Sequence, residues 1–248
     1  MNKLEITRFP PSDYAVTEAL NTLCTNLSFA GEDIKRIVIT SCRTSEGKSY
    51  LAMNIVRTLA SLGKRALLVD ADLRRSQIGV KFGLRFHPQR LQGLSHYLAG
   101  MCEVEDVVYT TDIPKVYMVP AGCEVMDSLS LLNTPRFSAL LDQLAADMDV
   151  VIVDAPPIGV IIDAAEIAKS CDGALFAVSY NKISRKELTN AKKQIEQTGC
   201  RVLGCVLNNV EMNSYANRRY YHKYGYSKYH TGHYKPRTKA NSKRELEE

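Results

Sequence analysis

Short runs of apolar, mostly β-branched residues alternate along the chain with longer stretches in which apolar residues recur every three or four positions. The short runs predict six buried strands, at residues 36–40, 65–69, 116–120, 150–153, 173–178 and 201–207. The longer stretches predict helices that begin near residues 13, 47, 134, 161 and 184. Strands that alternate with helices form a parallel sheet covered by helices on both faces. The pattern therefore predicts an α/β fold.

Two stretches lack this alternation. Residues 1–11 end in a Phe-Pro-Pro sequence and are predicted to be an extended lead-in to the first helix. Residues 76–115 contain several glycines and a proline that break short helical pieces at 94–98 and 104–109, and are predicted to be irregular. Neither stretch is assigned a strand.

The composition is that of one globular domain. The chain has 248 residues, of which 45% are apolar, enough to bury one sizeable core. No apolar run approaches the roughly 20 residues needed to span a bilayer, and the N-terminus lacks the apolar region of a signal peptide. The seven cysteines are scattered, without a Cys-x-x-Cys pair. We therefore expect buried free thiols in a reducing cytosol and no metal cluster of Cys and His.

The net charge of +5 is concentrated at the C-terminal end. Residues 212–248 contain nine Lys or Arg against three Glu, a local charge of +6, so the remaining chain is near −1. The same segment holds seven of the thirteen tyrosines, namely Tyr215, Tyr220, Tyr221, Tyr224, Tyr226, Tyr229 and Tyr234. Because it has almost no aliphatic residues, it is predicted to be a flexible, disordered tail after a domain of residues 1–211. Basic residues interleaved with tyrosine fit either single-stranded nucleic-acid binding or a cluster of phosphate acceptors.

A phosphate-binding loop is predicted between the first strand and the helix that follows it. A small and polar turn leads into Gly47-Lys48-Ser49, which opens the helix. Backbone N–H groups of such a loop donate hydrogen bonds to phosphates, Lys48 would reach the β- and γ-phosphates, and the Ser49 hydroxyl would ligate Mg²⁺. Cys42 stands where the usual pattern begins with glycine. The alternative is an ordinary strand-to-helix turn with an exposed lysine.

Carboxylates directly follow two of the apolar strands. Asp70 and Asp72 come just past the second strand, at the edge where α/β sheets bind ligands. A solvated acidic turn is the alternative for this pair. Asp154 ends the fourth strand in the form of a Walker B motif, whose aspartate holds Mg²⁺ directly or through water. Together with the Gly-Lys-Ser sequence upstream, Asp154 indicates a nucleotide site.

Four features occur together in this chain: the Gly-Lys-Ser loop, the sequence LVDADLR at 68–74, the sequence VIVDAPP at 151–157, and the terminal tyrosine cluster. In this combination the chain resembles the bacterial tyrosine kinases of capsule and exopolysaccharide systems, in the stand-alone cytosolic form found with a separate membrane adaptor. The first three motifs are shared with the wider family of division-site and partition ATPases. The tyrosine cluster is what singles out the kinases.

The resemblance implies a P-loop NTPase fold that uses ATP and Mg²⁺ to phosphorylate the tail tyrosines of a neighbouring subunit. It makes Asp70 the base for the tyrosine hydroxyl and adds Lys48 and Asp72 to the catalytic residues. It implies that Ser49, Asp72 and Asp154 hold the metal. The nucleotide-binding residues that it implies are Thr44, Ser45, Glu46, Gly47, Lys48, Ser49, Tyr50 and, beside the adenine, Asn208.

The resemblance also implies partners. Members of the family assemble into rings through Glu-x-x-Arg-x-x-Arg in the N-terminal helix, so a homo-oligomer is expected. A transmembrane activator of the polysaccharide co-polymerase type would recruit the cytoplasmic kinase to the inner face of the membrane. Here Glu18 remains, but Asn21 and Cys24 replace both arginines, which removes two bidentate donors from the expected interface.

The phosphate loop departs from the family pattern as well. Thr44 and Ser45 replace the usual Pro-Gly, and the loss of that glycine restricts the backbone of the loop. Ser76 stands where the family often has proline.

The sequence leaves three functions open and favours the first. The first is an autophosphorylating tyrosine kinase that regulates polysaccharide export. The second, suggested by the altered loop and the missing arginines, is a scaffold that bears phosphotyrosines, binds an adaptor and binds ATP weakly or not at all. The third is a positioning ATPase of the division or partition type. The density of tyrosine in the tail exceeds what phosphate contact requires, so a nucleic-acid partner is not expected.

Overall fold

A nine-stranded sheet forms the centre of the computed structural model, which describes residues 2–9, 13–31, 33–87 and 91–210. The strands are β1 (Asn2–Ile6), β2 (Arg36–Ser41), β3 (Ala66–Asp70), β4 (Leu84–His87), β5 (Tyr109–Thr111), β6 (Val116–Val119), β7 (Val150–Asp154), β8 (Gly173–Ser179) and β9 (Arg201–Asn208). The helices are α1 (Tyr14–Ser28), α2 (Lys48–Ser61), α3 (Ile78–Phe82), α4 (Leu94–Leu98), α5 (Val104–Val107), α6 (Ser128–Leu132), α7 (Pro135–Asp147), α8 (Asp163–Ala168) and α9 (Arg185–Glu196). The strand order is β4-β1-β5-β6-β3-β7-β2-β8-β9.

The six predicted strands form the parallel part of this sheet. They are β2, β3, β6, β7, β8 and β9, and every neighbouring pair among them is parallel. Their carboxyl ends therefore meet at one edge of the sheet, where ligands bind in folds of this kind. The predicted α/β fold with a parallel sheet is confirmed.

Both faces of the parallel strands are buried, which is why their sequences are almost continuously apolar. In β2, Ile37 and Ile39 belong to one apolar core, and Val38 between them belongs to the core on the opposite face. Helices α1 to α3 contribute to the first core, and α4 to α9 contribute to the second. Because successive side chains of a strand point to opposite faces of the sheet, each strand packs against the helices on both faces.

Three strands lie where the sequence pattern predicted none. β1 lies in the predicted lead-in, and β4 and β5 lie in the predicted irregular region. β1 pairs antiparallel with β4 and parallel with β5, and β5 continues the sheet by an antiparallel pairing with β6. The prediction for these segments is therefore wrong. The strands are only three to five residues long, too short for a local period to reveal them. β1 and β4 also depend on partners far away in sequence, and β5 pairs both with distant β1 and with nearby β6.

The N-terminal helix begins as predicted, but Cys24, which replaces one of the family's arginines, lies in an unexpected environment. Asp13 caps the helix, because its Oδ1 accepts a hydrogen bond from the Val16 N–H at 2.8 Å. Cys24 is only 1% exposed, and burial raises the pKa of its thiol to about 12. Its Sγ lies 3.9 Å from the Ile55 carbonyl oxygen, so position 24 belongs to the core between α1 and α2. Asn21 donates to Glu18 Oε1 at 3.3 Å.

The other expectations concern thiols, membranes and the tail. All seven cysteines are free. Five of them are buried as expected, whereas Cys123 and Cys205 are exposed. Within the described ranges, no helix combines the length and the apolar character that crossing a bilayer would need. The predicted disordered tail, the domain boundary after residue 211 and the seven tail tyrosines lie outside the described residues.

Candidate active site

The strand order brings together segments that are far apart in sequence. β2, which leads into the predicted phosphate loop, lies in the middle, with β7 and β3 on one side and β8 and β9 on the other. Asp70 and Asp154 are register partners at the ends of β3 and β7. Ser179 and Asn208 are register partners at the ends of β8 and β9. Polar groups from five parallel strands therefore surround the loop.

The loop joins the first turn of α2 as a phosphate-binding loop should. Lys48 and Ser49 begin the helix and are only 9% and 7% exposed. Gly47 has a φ of 88°, and a Cβ atom built on it would lie 2.0 Å from Asn208 Nδ2. Only glycine fits there. A side chain would clash with Asn208, and the left-handed backbone conformation is unfavourable for any residue that has a side chain. The unpaired N–H groups at the start of α2 face the loop, as in other anion sites.

Glu46 braces the loop from inside the protein. Its side chain is 2% exposed; Oε2 accepts from the Arg43 N–H at 2.7 Å, and Oε1 accepts from the Ser179 N–H at 3.0 Å. The carbonyl of Glu46 accepts from Asn208 Nδ2 at 2.9 Å. The Glu46 carboxylate thus ties the loop to β8. Glu46 is a predicted nucleotide-binding residue. Because its carboxylate is engaged by these hydrogen bonds, only its backbone is left to contact a phosphate.

A second brace holds the loop from outside. The Arg43 guanidinium donates to Glu187 Oε1, with Nε at 2.8 Å. Glu187 is the third residue of α9, and its carboxylate also accepts from the N–H and the hydroxyl of Ser184. These hydrogen bonds from Ser184, together with Arg43, lower the pKa of Glu187 to about 2. Glu187 thus completes a capping box with Ser184, which is local in sequence, and also makes the contact with Arg43, which is not.

Ser45 adopts the conformation for which the family loop uses glycine. Its φ is 61°, in the left-handed region, where a residue with a side chain costs about 1–2 kcal/mol. Thr44 and Ser45 are both exposed, so neither gains burial in exchange. Cys42, at the start of the loop, is buried, and burial raises the pKa of its thiol to about 11. The loop therefore keeps its shape at the expense of strain at one position.

Replacing Ser45 by glycine is expected to raise the free energy of unfolding by about 1 kcal/mol, because it removes the left-handed strain. Urea titration of both proteins measures the difference. Thr44→Gly is the matched control: φ is not positive at Thr44, so glycine there should destabilise the protein through the entropy of the unfolded chain. Equal destabilisation by the two substitutions would contradict the strain at Ser45.

Two buried carboxylates form the acidic side of the site. Asp70 and Asp154 are 2% and 1% exposed. Within the described part of the chain, Oδ1 of each has no hydrogen-bond partner. Burial, and secondly the charge of Asp154, hold the pKa of Asp70 well above its ordinary value of 3.8. Burial raises the pKa of Asp154 to about 6, although the Lys48 ammonium and a hydrogen bond from the Ser49 hydroxyl act in the opposite direction.

The raised pKa of Asp154 predicts that the ligand-free protein is more stable at pH 5.5 than at pH 7.5. A carboxyl group whose pKa rises on folding from 3.8 to about 6 stabilises the fold fully below pH 3.8, and this contribution is lost as the pH rises through 6. The full contribution is about 3 kcal/mol, and the part of it that separates pH 5.5 from pH 7.5 is about 1 kcal/mol. Thermal unfolding at the two pH values measures it, and Asp154→Asn should reduce it. A fall in stability on acidification to pH 5.5 would contradict the assignment.

The segment after β3 presents the other predicted carboxylate. Asp72 is half-buried, and its Oδ1 accepts from the Arg75 N–H at 3.1 Å. The Ser76 hydroxyl donates to Asp70 Oδ2. The residue that replaces the family's proline is therefore a direct partner of Asp70. Its only signal in the sequence was this departure from the family pattern.

A buried ion pair fastens the same segment to the rest of the site. Arg74 Nε donates to Asp163 Oδ2 at 2.8 Å, and another of its nitrogens donates to the Met126 carbonyl at 2.8 Å. Asp163 is 1% exposed and also accepts from the Ser128 hydroxyl. Sequence reasoning missed Asp163, since it lies in a short helix and its partner is far away in the chain.

The structure thus brings most of the predicted site residues together. Lys48, Ser49 and Asp70 lie around Asp154. The negative charge of Asp72 contributes to the raised pKa of both buried carboxylates. Tyr50 is half-buried in α2, where its carbonyl accepts from Asn54 Nδ2 at 2.8 Å. The arrangement is a buried cation near Asp154, at the start of a helix, with a free oxygen atom on each of the two buried carboxylates. Such a site can bind a polyanion together with a divalent cation.

Comparison with known proteins identifies relatives over most of the chain. A family model described as an AAA domain matches residues 34–202. The chain is 35% identical over 208 residues to the tyrosine-protein kinase CpsD of Streptococcus agalactiae, covering 84% of this chain and 89% of that protein. It is 32% identical over 210 residues to the tyrosine-protein kinase CpsD of Streptococcus pneumoniae, covering 84% and 91%. The kinase domain of the Escherichia coli tyrosine kinase ETK superposes with a TM-score of 0.74 at 28% identity, covering 80% of this chain and 77% of that domain.

These similarities confirm the fold and the resemblance inferred from the motifs. The family model spans more than half of the chain, and the streptococcal relatives exceed 30% identity over most of their own length. The chain also superposes on the solved kinase domain of a tyrosine kinase. The chain belongs to the family of bacterial tyrosine-protein kinases.

Proposed function

We propose that the protein uses ATP to phosphorylate tyrosines of its own C-terminal segment, and that this reaction regulates the synthesis and export of a capsule or exopolysaccharide. The observation that carries the proposal is the pair of buried carboxylates on adjacent strands, Asp70 and Asp154, beside Lys48. Family membership supports tyrosine as the acceptor, since the relatives are tyrosine-protein kinases.

The loop would hold the phosphates of ATP. Backbone N–H groups of residues 44–50 would donate hydrogen bonds to the phosphate oxygens at the positive end of α2. Lys48 would neutralise charge on the β- and γ-phosphates. Asn208 is proposed to contact the adenine. Its Nδ2 donates to the Glu46 carbonyl, so its Oδ1 would make that contact.

The residues of the site fit a magnesium ion that is bound together with a nucleotide. Asp154 Oδ1 is a buried acceptor without a partner in the described part of the chain, and the Ser49 hydroxyl contacts the same carboxylate. No group of three or more His, Cys, Asp or Glu side chains within the described ranges could hold a metal by itself. Mg²⁺ usually needs only one or two carboxylates besides phosphates and water. We propose Ser49, Asp72 and Asp154 as its ligands; when bound, the ion neutralises charge on the phosphates.

Asp70 is proposed as the base that takes the proton of the tyrosine hydroxyl. The Ser76 hydroxyl orients the carboxylate through Oδ2, and Oδ1 stays free for the acceptor. Burial raises the proton affinity of Asp70, which favours proton transfer to it. Lys48 and the loop supply the rest of the rate enhancement by positioning the phosphates and stabilising their charge.

Phosphate mapping tests the proposal. The full chain is incubated with ATP, Mg²⁺ and the cytosolic fragment of its activator, and phosphorylated residues are identified by mass spectrometry. Phosphotyrosine is expected among Tyr215, Tyr220, Tyr221, Tyr224, Tyr226, Tyr229 and Tyr234, and is expected to be absent in Lys48→Met. A tail free of phosphotyrosine in the wild-type protein would contradict the proposal.

A second candidate is a scaffold that bears phosphotyrosines, binds a membrane adaptor and turns over little or no ATP. The strained backbone at Ser45 favours it, because the phosphates must approach that part of the loop closely. Calorimetric titration with ATP, with and without Mg²⁺, separates the two candidates. Affinity that rises with Mg²⁺, and falls in Asp154→Asn, supports the kinase; no measurable binding supports the scaffold.

A positioning ATPase of the division or partition type is the third candidate. It would act on a membrane or on DNA, and would give binding to DNA that weakens steeply with salt. The kinase names of the relatives argue against it. We propose no nucleic-acid partner.

The proposed partners follow from the same function. We propose a transmembrane activator of the polysaccharide co-polymerase type, which would recruit the protein from the cytoplasm to the inner face of the membrane. A homo-oligomer would place the tail of one subunit beside the site of the next. Asn21 and the buried Cys24 supply no arginine donors, so we expect any contact through α1 to be weaker than one made by Glu-x-x-Arg-x-x-Arg. Light scattering with and without the activator fragment measures the assembly.

A further inference from the structure

An exposed thiol and an imidazole are in contact outside the proposed nucleotide site. Cys123, in the loop after β6, is free and exposed, and its Sγ lies 3.4 Å from Nε2 of His96 in α4. Neither residue is among those proposed for phosphate transfer. A nucleophile beside a ring nitrogen at hydrogen-bond distance is the usual arrangement of a reactive cysteine.

The backbone holds the two residues in this position. The Cys123 N–H donates to the Ser95 hydroxyl oxygen at 2.9 Å, and the Ser95 N–H donates to the Ala121 carbonyl at 2.9 Å. Gly122 has a φ of 89°, and a Cβ atom on it would lie 2.5 Å from Ser95 Oγ and 2.8 Å from His96 Nδ1. A glycine is therefore required for the loop to approach α4 so closely. The thiol and the ring meet in a defined geometry.

The hydrogen bonds also determine which nitrogen of His96 carries the proton. The Gly93 N–H donates to His96 Nδ1 at 3.2 Å, so Nδ1 is the acceptor nitrogen of the neutral ring. The proton of the neutral ring is then on Nε2, which faces Cys123 Sγ. An N–H group in this position can donate a hydrogen bond to the sulfur of Cys123. The pair thus has the geometry of a nucleophile held beside a hydrogen-bond donor.

We propose that Cys123 is a site of reversible oxidation by hydroperoxides, promoted by His96. The Cys123 thiolate attacks the terminal oxygen of the hydroperoxide; an S–O bond forms and the O–O bond breaks. The sulfur is oxidised by two electrons to the sulfenic acid, and the peroxide is reduced to an alkoxide or hydroxide. The leaving oxygen then takes up the proton that the thiol lost to solvent, which gives an alcohol or water. A thiol reductant restores Cys123.

The oxidised residue would lie next to residues that contact the segment after β3, which carries Asp72 of the proposed active site. Two residues beyond Cys123, the Val125 N–H donates to the Leu73 carbonyl at 2.9 Å, and Arg74 donates to the Met126 carbonyl at 2.8 Å. The reactivity of the thiol does not rest on the proposed function, since no kinase residue takes part in it.

The chain contains its own control cysteine. Cys205, on the edge strand β9, is also free and exposed, but burial raises the pKa of its thiol. The other five cysteines are buried: Cys24, Cys42, Cys102, Cys171 and Cys200. A reagent that only measures exposure would modify Cys123 and Cys205 alike, whereas one that needs the thiolate should prefer Cys123.

The test measures modification at each cysteine in the full chain. The protein is treated with hydrogen peroxide and a sulfenic-acid-trapping dione, and separately with iodoacetamide, and peptide mass spectrometry follows each site over time. Cys123 is expected to react about tenfold faster than Cys205 with both reagents. His96→Leu should slow Cys123 severalfold and leave Cys205 unchanged. His96→Gln keeps an N–H donor, and should restore part of the rate.

Three outcomes would overturn the proposal. One is an equal rate at Cys123 and Cys205. Another is a Cys123 rate in His96→Leu that matches the wild-type protein. The third is an equal loss of rate in His96→Gln and His96→Leu with an unchanged melting temperature, because the donor would then be irrelevant. The rate at Cys205 reports on folding in every variant, so a misfolded variant is recognised.

Discussion

Replacing Lys48 by methionine is expected to lower the rate of tyrosine phosphorylation by about 10²- to 10³-fold. Lys48 is the buried cation of the site, and its ammonium lies close enough to Asp154 to oppose the effect of burial on that carboxyl group. Methionine has a similar length but no charge, so the β- and γ-phosphates would lose their fixed counter-charge. Initial rates of phosphate incorporation from labelled ATP measure the effect.

The matched control for this prediction lies just past the end of the same helix. Lys64 is exposed, so Lys64→Met makes the same chemical change away from the site. Its phosphorylation rate is expected to stay within about a factor of two of the wild-type rate. If Lys48→Met kept a similar rate, the proposed phosphate loop would be wrong.

Replacing Asp70 by asparagine is expected to reduce phosphorylation strongly and to stabilise the protein. As the proposed base, Asp70 should contribute about 10²- to 10⁴-fold to the rate. In the absence of ligand, however, its ionised carboxylate is buried beside Asp154, and its pKa is well above 3.8. A group with a raised pKa destabilises the fold at a pH at which it must ionise, so a neutral amide should add about 1–3 kcal/mol at pH 8. The Ser76 hydroxyl can still donate to the amide oxygen.

Two measurements distinguish this prediction from a general loss of structure. Denaturant titration should give a higher midpoint for Asp70→Asn, while the kinase assay gives little product. Asp72→Asn serves as the control, because Asp72 is half-buried and accepts a hydrogen bond from the Arg75 N–H. It is expected to lower activity without a gain in stability. An Asp70→Asn protein that is less stable than the wild type would show that the charge of Asp70 is not a source of strain.

The location of the site followed from local patterns. A buried strand, a polar loop and Gly47-Lys48-Ser49 at a helix start are adjacent in sequence, so their geometry needs no distant partner. Asp70 and Asp154 could be placed at the same sheet edge because parallel strands end at the same edge. These features predicted the fold, and together with the tyrosine cluster they predicted the kinase family, which the similarity to tyrosine-protein kinases confirmed.

Other features depended on contacts between distant residues. Glu46 is predicted to bind nucleotide as part of the loop, and the structure adds that its carboxylate braces the loop through Arg43 and Ser179. Cys24 replaces an arginine of the interface that the family resemblance implies, and only the structure shows that its side chain packs in the core. A sequence pattern gives the face of a helix or strand only approximately, and cannot show which hydrogen bonds a buried side chain makes.

By itself the sequence determined the order of the six parallel strands and of the longer helices between them, the residues of the phosphate loop and the two aspartates that end strands. These depend on periodicity and on short motifs, which act over a few residues. Only the tertiary structure decided the order of strands across the sheet, the three added strands at its edge, the left-handed backbone of Ser45 and the pairing of Cys123 with His96. Each of these is a balance between packing and hydrogen bonding of segments that are distant in sequence, and no local pattern contains that balance.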